Sequence, residues 1–407
     1  MHTLQNGIRV VHKEITNSKI AHCGLMLDIG SRDELEDQQG LAHFWEHMVF
    51  KGTKKRKSFH ILNRLDSVGG ELNAFTTKEK ITFYASVLNK HYEKAVELLF
   101  DITFNSTFPE NQIDRERKVI LEEMALYHDN PEDDIQDEFD KLIFPGHPLG
   151  NNILGTRESV ASFQKNDFYR FMKENLDTKQ IIFTSVSSLP YKKVIKLAEK
   201  YFADIAAKSA VGHRHSANSY IPRNKLLKKS ILQAHCAIGH PAFSIQDPKR
   251  LPFSMLVNIL GGPALNSRLN MALREKYGFV YAIDANYSSF SDTGLFSIFF
   301  ATEKKQMARS VELVIRELKR LRAKPLGDLQ LHKAKEQLIG QMAMSEENNM
   351  SHMLMMGKSL LDMEKIESFD DVVDKVRQVK ADYLTNIAEE IFNEQELSFM
   401  YYIPKEK

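Results

Sequence analysis

Gly40–Thr53, GLAHFWEHMVFKGT, holds His43, Glu46 and His47 in an H-x-x-E-H pattern within a segment that reads as helix. At 3.6 residues per turn, positions i and i+4 share a face, so both histidines can point at one cation. Glu46 falls three residues after His43, close enough to reach a water on that cation. The order is the reverse of the common H-E-x-x-H zinc pattern. Two imidazoles and a carboxylate form a usual catalytic zinc set that leaves a coordination position open. Two histidines four apart are about as often plain surface or core residues, so the pattern needs a third ligand.

Pro109 opens a long helix, ENQIDRERKVILEEMALYHD, that ends before Asn130-Pro131. Glu116 and Glu123 lie two turns apart on it and share a face beside Val119 and Ile120. A carboxylate facing a core is costly unless it is paired or holds a metal. An arbitrary helical glutamate is most often solvated, and Glu122, turned about 100° away, fits that description. With two histidines in need of a partner, Glu123 is the expected third ligand and Glu116 its supporting carboxylate.

A chain of 407 residues, 43% hydrophobic and 27% charged, is long enough for two globular domains. A net charge of +1 gives no electrostatic argument for nucleic acid or an anionic membrane. No apolar run is long enough to span a bilayer. Neither the N-terminus nor the two cysteines, Cys23 and Cys236, suggest export, so a cytoplasmic location is expected. Strands are expected at 7–13 and 20–29, a helix at 57–67 ending at Gly69-Gly70, and two short strands across ELNAFTTKEKITFYASV turning near Lys78. Helices at 90–103, 132–143, 163–174 and 190–203, with a strand at 179–186, complete the first half. The polar stretch 208–225 reads as a linker, and its His213 and His215 as linker residues.

The second half repeats this order: a strand at ILQAHCAIG echoing IAHCGLMLDIG, helices at 248–260 and 266–276, strands across 279–301, then paired helices at 304–322 and 327–346. No His or Glu triplet occupies its first helix. Instead Arg274, at a helix end, and Tyr281, in the next strand, offer donors suited to a peptide carbonyl or carboxylate, although a helix-end Arg and a packed Tyr read equally well. The methionine-dense HMLMMGKSLLDM reads as packing rather than a cofactor box.

Over its whole length the chain resembles the pitrilysin family of zinc peptidases, in its short bacterial form. The resemblance rests on NGIRVV, GSRDE, GLAHFWEHMVFKGT, VGGELNAFTTKE, ERKVILEEM, HPLGNNILGT and SRL…LREKYGFVYAI. It implies one zinc per chain held by His43, His47 and Glu123, with Glu46 as the base and Glu116 in support. It implies substrate contacts at Phe44, Asn73 and Ala74, and at Arg274 and Tyr281 in the second half. The sequence departs from the family at Thr82, which comes three residues after Glu79 where a spacing of two is usual. The implied fold is α+β: two tandem homologous domains, 1–207 and 226–407, each an antiparallel sheet with helices on one face. The resemblance further implies an endopeptidase for short or unfolded peptides, bound as an added strand in an enclosed chamber. A homodimer is expected; the alternative is a metal-bearing subunit that needs a paralogous partner chain.

Overall fold

A computed structural model describes residues 1–212, 214–217 and 219–405; His213 lies outside the described residues. The chain forms two compact units, each discontinuous in sequence. The first comprises 1–125, 151–215 and 345–366; the second comprises 126–150, 216–344 and 367–407.

The first unit is built on a six-stranded sheet. Its strands run in the spatial order His2–Thr3, Arg9–Glu14, Ile181–Ser187, Ile20–Leu27, Ile81–Leu88, Glu71–Thr76. Side chains alternate between the two faces of a strand, and both faces here are apolar. Val10, Leu25, Phe83 and Phe183 join a core with helices Leu41–Met48 and Tyr92–Phe104. Val11, Ile182 and Val186 meet Met353, Met356 and Leu360 of helix Asn349–Met363 on the other face. The methionine-dense segment is therefore the cover of that second face.

The second unit has a five-stranded sheet in the order Asn224–Lys229, Ser398–Pro404, Ala234–Ala242, Gly294–Thr302, Val280–Ser289. Helices Arg250–Gly261, Met307–Ala323 and Ala381–Ile391 pack on one face. Ile135, Phe139 and Ile143 of helix Pro131–Ile143 cover the other.

These arrangements correct three expectations. Each sheet is mixed, because Arg9–Glu14 runs parallel to Ile181–Ser187 and Asn224–Lys229 parallel to Ser398–Pro404. Each sheet has helices on both faces, since a strand apolar on both sides needs cover on both. Neither unit follows a single cut at 208–225, because the second cover comes from the opposite half of the sequence: 349–363 for one sheet and 131–143 for the other.

Pairing of Ile81–Leu88 with both neighbours is regular through Thr82, so the departure at that threonine leaves the register intact. The expected 266–276 helix contains a π-helical segment, Asn270–Glu275, in which Lys276 N–H donates to Met271 five residues back. No helix among the described residues is long and apolar enough to cross a membrane.

Candidate metal centre

Helix Leu41–Met48 has two working faces. Leu41, Phe44, Trp45 and Met48 are fully buried in the core, which leaves His43, Glu46 and His47 on the opposite side. Phe44 is 0% exposed and packs edge-on against Phe163 and Phe168, so its side chain anchors the helix in the core and offers no surface for a contact. That corrects the expectation for Phe44. Its neighbours His43 and His47 belong to the other face, about 100° around per residue.

The helix start is fixed by its preceding loop. Gly40 sits at φ +93°, and a Cβ there would fall 2.4 Å from the Leu154 carbonyl oxygen. The buried Glu34 carboxylate accepts from Gly40 N–H at 2.9 Å and from Ala42 N–H at 2.7 Å, capping the helix. Burial pushes the Glu34 carboxyl well above its usual range, against those two amides. A glutamate six residues ahead of the glycine that precedes the helix is the signal that sequence reading passed over.

Helix Glu110–Asp129 supplies the third side chain. Its buried stripe runs Ile113, Glu116, Ile120, a three-then-four spacing that brings Glu123 next in line. Val119 is 49% exposed, so the apolar stripe expected there consists of Ile120 without it. Glu122 is exposed, as expected.

His43, His47 and Glu123 converge, with one donor atom from each lying within 4.8 Å of the others. Glu123 Oε1 is 3.7 Å from His43 Nε2, and Oε2 is 3.5 Å from His47 Nε2. Those gaps are too long for good hydrogen bonds, about 2.7–3.2 Å. They are close to the ~3.3 Å that separates ligand atoms around a tetrahedral zinc with bonds near 2.0–2.1 Å. Burial, with a smaller contribution from His47, pushes the His43 pKa down to about 3, so its ring is a neutral ligand. His47 Nδ1 lies 3.2 Å from Glu116 Oε2; since a carboxylate only accepts, the proton sits on Nδ1 and frees the Nε2 lone pair. Lys51 Nζ holds the other Glu116 oxygen at 2.6 Å. Burial raises the Glu116 carboxyl, but hydrogen bonds from His47 and Lys51 outweigh it and hold the group below its usual range. The donor set thus fits zinc.

Glu46 is partly buried on the same face, and burial raises its carboxyl above the usual range. The Thr76 hydroxyl donates to Glu46 Oε2 at 2.6 Å and opposes that rise. Thr76 closes the edge strand Glu71–Thr76, where Asn73 is exposed and turns its side-chain oxygen onto Ala74 N–H at 2.9 Å. Neither Thr76 nor Lys51 was singled out from the sequence; a threonine closing a short strand and a lysine one turn after a histidine carry no special pattern.

Arg274 and Tyr281 belong to the other unit. They lie together, with the guanidinium carbon 5.7 Å from the Tyr281 ring centre and the tyrosine 86% exposed. Both line a pocket with Gly262, Leu265, Ser267 and Asn270.

Such a donor set beside the Glu46 carboxylate is the arrangement of residues that an inverted-type zinc hydrolase uses. Sequence comparison narrows this: residues 9–157 match the insulinase (peptidase family M16) domain and residues 162–338 the M16 inactive domain. The chain is 30% identical over 393 residues to YmxG, an uncharacterized zinc protease of Bacillus subtilis, covering 97% of this chain and 95% of that one. A Rickettsia felis protein, also named an uncharacterized zinc protease, is 30% identical over 393 residues, covering 96% of this chain and 94% of its own length. A Helicobacter pylori protease has the same fold, with TM-score 0.91 at 20% identity over 99% of this chain and 98% of that one. A Pseudomonas fluorescens structure described as a peptidase M16 inactive domain also aligns at TM-score 0.91, with 17% identity over 100% of this chain and 98% of that one. The chain belongs to the M16 peptidase family, the insulinase or pitrilysin family.

Proposed function

We propose that this protein is a zinc-dependent endopeptidase that hydrolyses short or unfolded peptides. The observation that carries this reading is the convergence of His43, His47 and Glu123 beside the Glu46 carboxylate. Zinc held by those three side chains would supply Lewis acidity and lower the pKa of a water. Glu46 takes the proton of the attacking water, and its raised pKa brings it nearer the working pH of a general base. Glu116 fixes the His47 tautomer, and Lys51 fixes Glu116.

Glu71–Thr76 is the free edge of its sheet, so a substrate adds there as one more strand, through backbone hydrogen bonds that a folded protein cannot offer. Arg274 and Tyr281 are the proposed substrate contacts of the second unit, the tyrosine hydroxyl and guanidinium being donors suited to a peptide carbonyl or carboxylate. With the metal set and this pair in one chain, a homodimer enclosing a chamber is the assembly we favour. Co-purification of a metal-free paralogue would point instead to a heterodimer.

The test is metal content and peptide hydrolysis of the purified chain beside Glu46→Gln. About one zinc per chain is expected, with cleavage that chelators abolish. Loss of the base should lower turnover roughly 10²–10⁴-fold while zinc stays bound. Near wild-type cleavage by Glu46→Gln would overturn the role of Glu46. Zinc without cleavage would favour the partner-dependent reading.

A further inference from the structure

The hydrogen bond between Thr76 and Glu46 joins the base to the strand that receives substrate. Thr77 N–H donates to the Lys80 carbonyl at 2.8 Å, closing a two-residue turn at Lys78 and Glu79. Antiparallel pairs alternate between bonded and non-bonded, so Phe75–Thr82 and Asn73–Tyr84 are the bonded pairs of this hairpin. The N–H and C=O groups of Leu72, Ala74 and Thr76 therefore point to the free edge. Ala74 bears this out, since its N–H bonds the Asn73 side chain rather than the ladder. Thr76 is the last residue of that outward set, and both its hydroxyl and its backbone N–H bear on the Glu46 carboxylate. At Thr76 the edge open to a peptide ends at the base.

From this we infer that Thr76 is a positioning residue: its hydroxyl holds Glu46 Oε2 so that the other carboxylate oxygen faces the attacking water. Because the same residue belongs to the strand that pairs with peptide, the base is set in the register of the bound substrate. This rests on the peptidase reading above. A serine at this position keeps the donor, whereas a valine keeps the shape and loses it, which separates hydrogen bonding from packing.

The experiment uses the full chain loaded with zinc, as Thr76→Val, Thr76→Ser, and Thr76→Val combined with Glu46→Gln. Trp45, the single tryptophan, is buried on the metal helix, and its emission checks that each variant is folded there. Losing a hydrogen bond to a charged group should make Thr76→Val roughly 10–100-fold slower in kcat. KM should stay within about twofold, since ground-state binding is untouched. Zinc content stays at the wild-type level, Thr76→Ser recovers most of the rate, and the double variant is no slower than Glu46→Gln alone. Equal losses in the serine and valine variants, or a rise in KM with unchanged kcat, overturn the inference.

A second readout needs no turnover. The ¹³C resonance of the Glu46 carboxylate, assigned by its loss in Glu46→Gln, should move in Thr76→Val and return in Thr76→Ser. If the wild-type chain alone cleaves nothing, the self-sufficient peptidase reading falls, and the resonance still decides whether Thr76 holds Glu46. A resonance unmoved in Thr76→Val overturns the inference in either case.

Discussion

Apart from the extra edge strand His2–Thr3 of the first, the two sheets carry the same strand order, and each is covered by a helix from the other half of the sequence. Yet the helix that follows the first central strand presents His43, Glu46 and His47, whereas its counterpart Arg250–Gly261 presents no histidine or glutamate. One architecture thus carries a candidate metal-ligand set in one copy and a pocket with Arg274 and Tyr281 in the other. Fold and site separate cleanly here. The scaffold needs apolar residues at repeating positions, while the chemistry needs only four or five side chains on the face the core leaves free.

The sharpest way to break this comparison is to strip the ligand set and leave the second unit alone. Glu123→Ala removes one of three protein ligands, and the protein should retain almost no zinc after dialysis, with activity down by at least about 10³-fold. Arg274→Ala should keep its zinc and lose activity through substrate contact alone. Elemental analysis of the two proteins side by side decides it. Metal loss from Arg274→Ala would mean that the division of labour between the copies is wrong.

The next effect concerns Phe44, which is buried where a substrate contact was expected. Phe44→Ala should lower stability by about 3–5 kcal/mol, the range for emptying a buried phenylalanine site. Its KM, measured well below the unfolding transition, should match wild type. A raised KM without a stability loss would return Phe44 to the substrate site.

How much of this was written in the sequence differs between the two regions. The metal side chains could be read because helix periodicity is local: three residues within one turn, and a glutamate two turns from another. The same periodicity argues against Phe44, which lies on the Leu41, Trp45, Met48 face. The repeated order of elements was also legible, since each strand and helix carries its own apolar rhythm. The exchange of covering helices was not. Helix 349–363 shows apolar and methionine residues whichever sheet it meets, and only three-dimensional packing selects Val11, Ile182 and Val186 as its partners. The strand Ser398–Pro404 pairs with Asn224–Lys229, far away in sequence and in parallel, a contact with no turn to announce it. Thr76 was invisible for a similar reason, because its partner Glu46 lies on a helix before the strand, brought close by folding alone.

The smallest effect contrasts two carboxylates of opposite character. Glu46 in the first unit is raised by burial, whereas Asp134 in the second is held low. Burial raises Asp134 too, but Lys229, Tyr402 and His128 more than offset it; His128 Nδ1 is 2.7 Å from Asp134 Oδ1. A carboxylate whose folded pKa lies below its unfolded value binds fewer protons in the native state. Its contribution is therefore complete above the ordinary aspartate value of about 3.9, and is lost as pH falls through the depressed folded value. Asp134→Asn should then cost about 1.5–3 kcal/mol at neutral pH, the range for hydrogen bonds to a charged group. The gap between the wild-type and variant melting temperatures should narrow as pH is lowered from about 4, because Asp134 protonates there in the unfolded chain and only at lower pH in the folded one. Melting curves between about pH 2.5 and 7 would show this, and a gap that widens toward acid would reverse the sign assigned to Asp134. That result would also remove the contrast, since both copies would then hold a carboxylate that folding disfavours in its charged form.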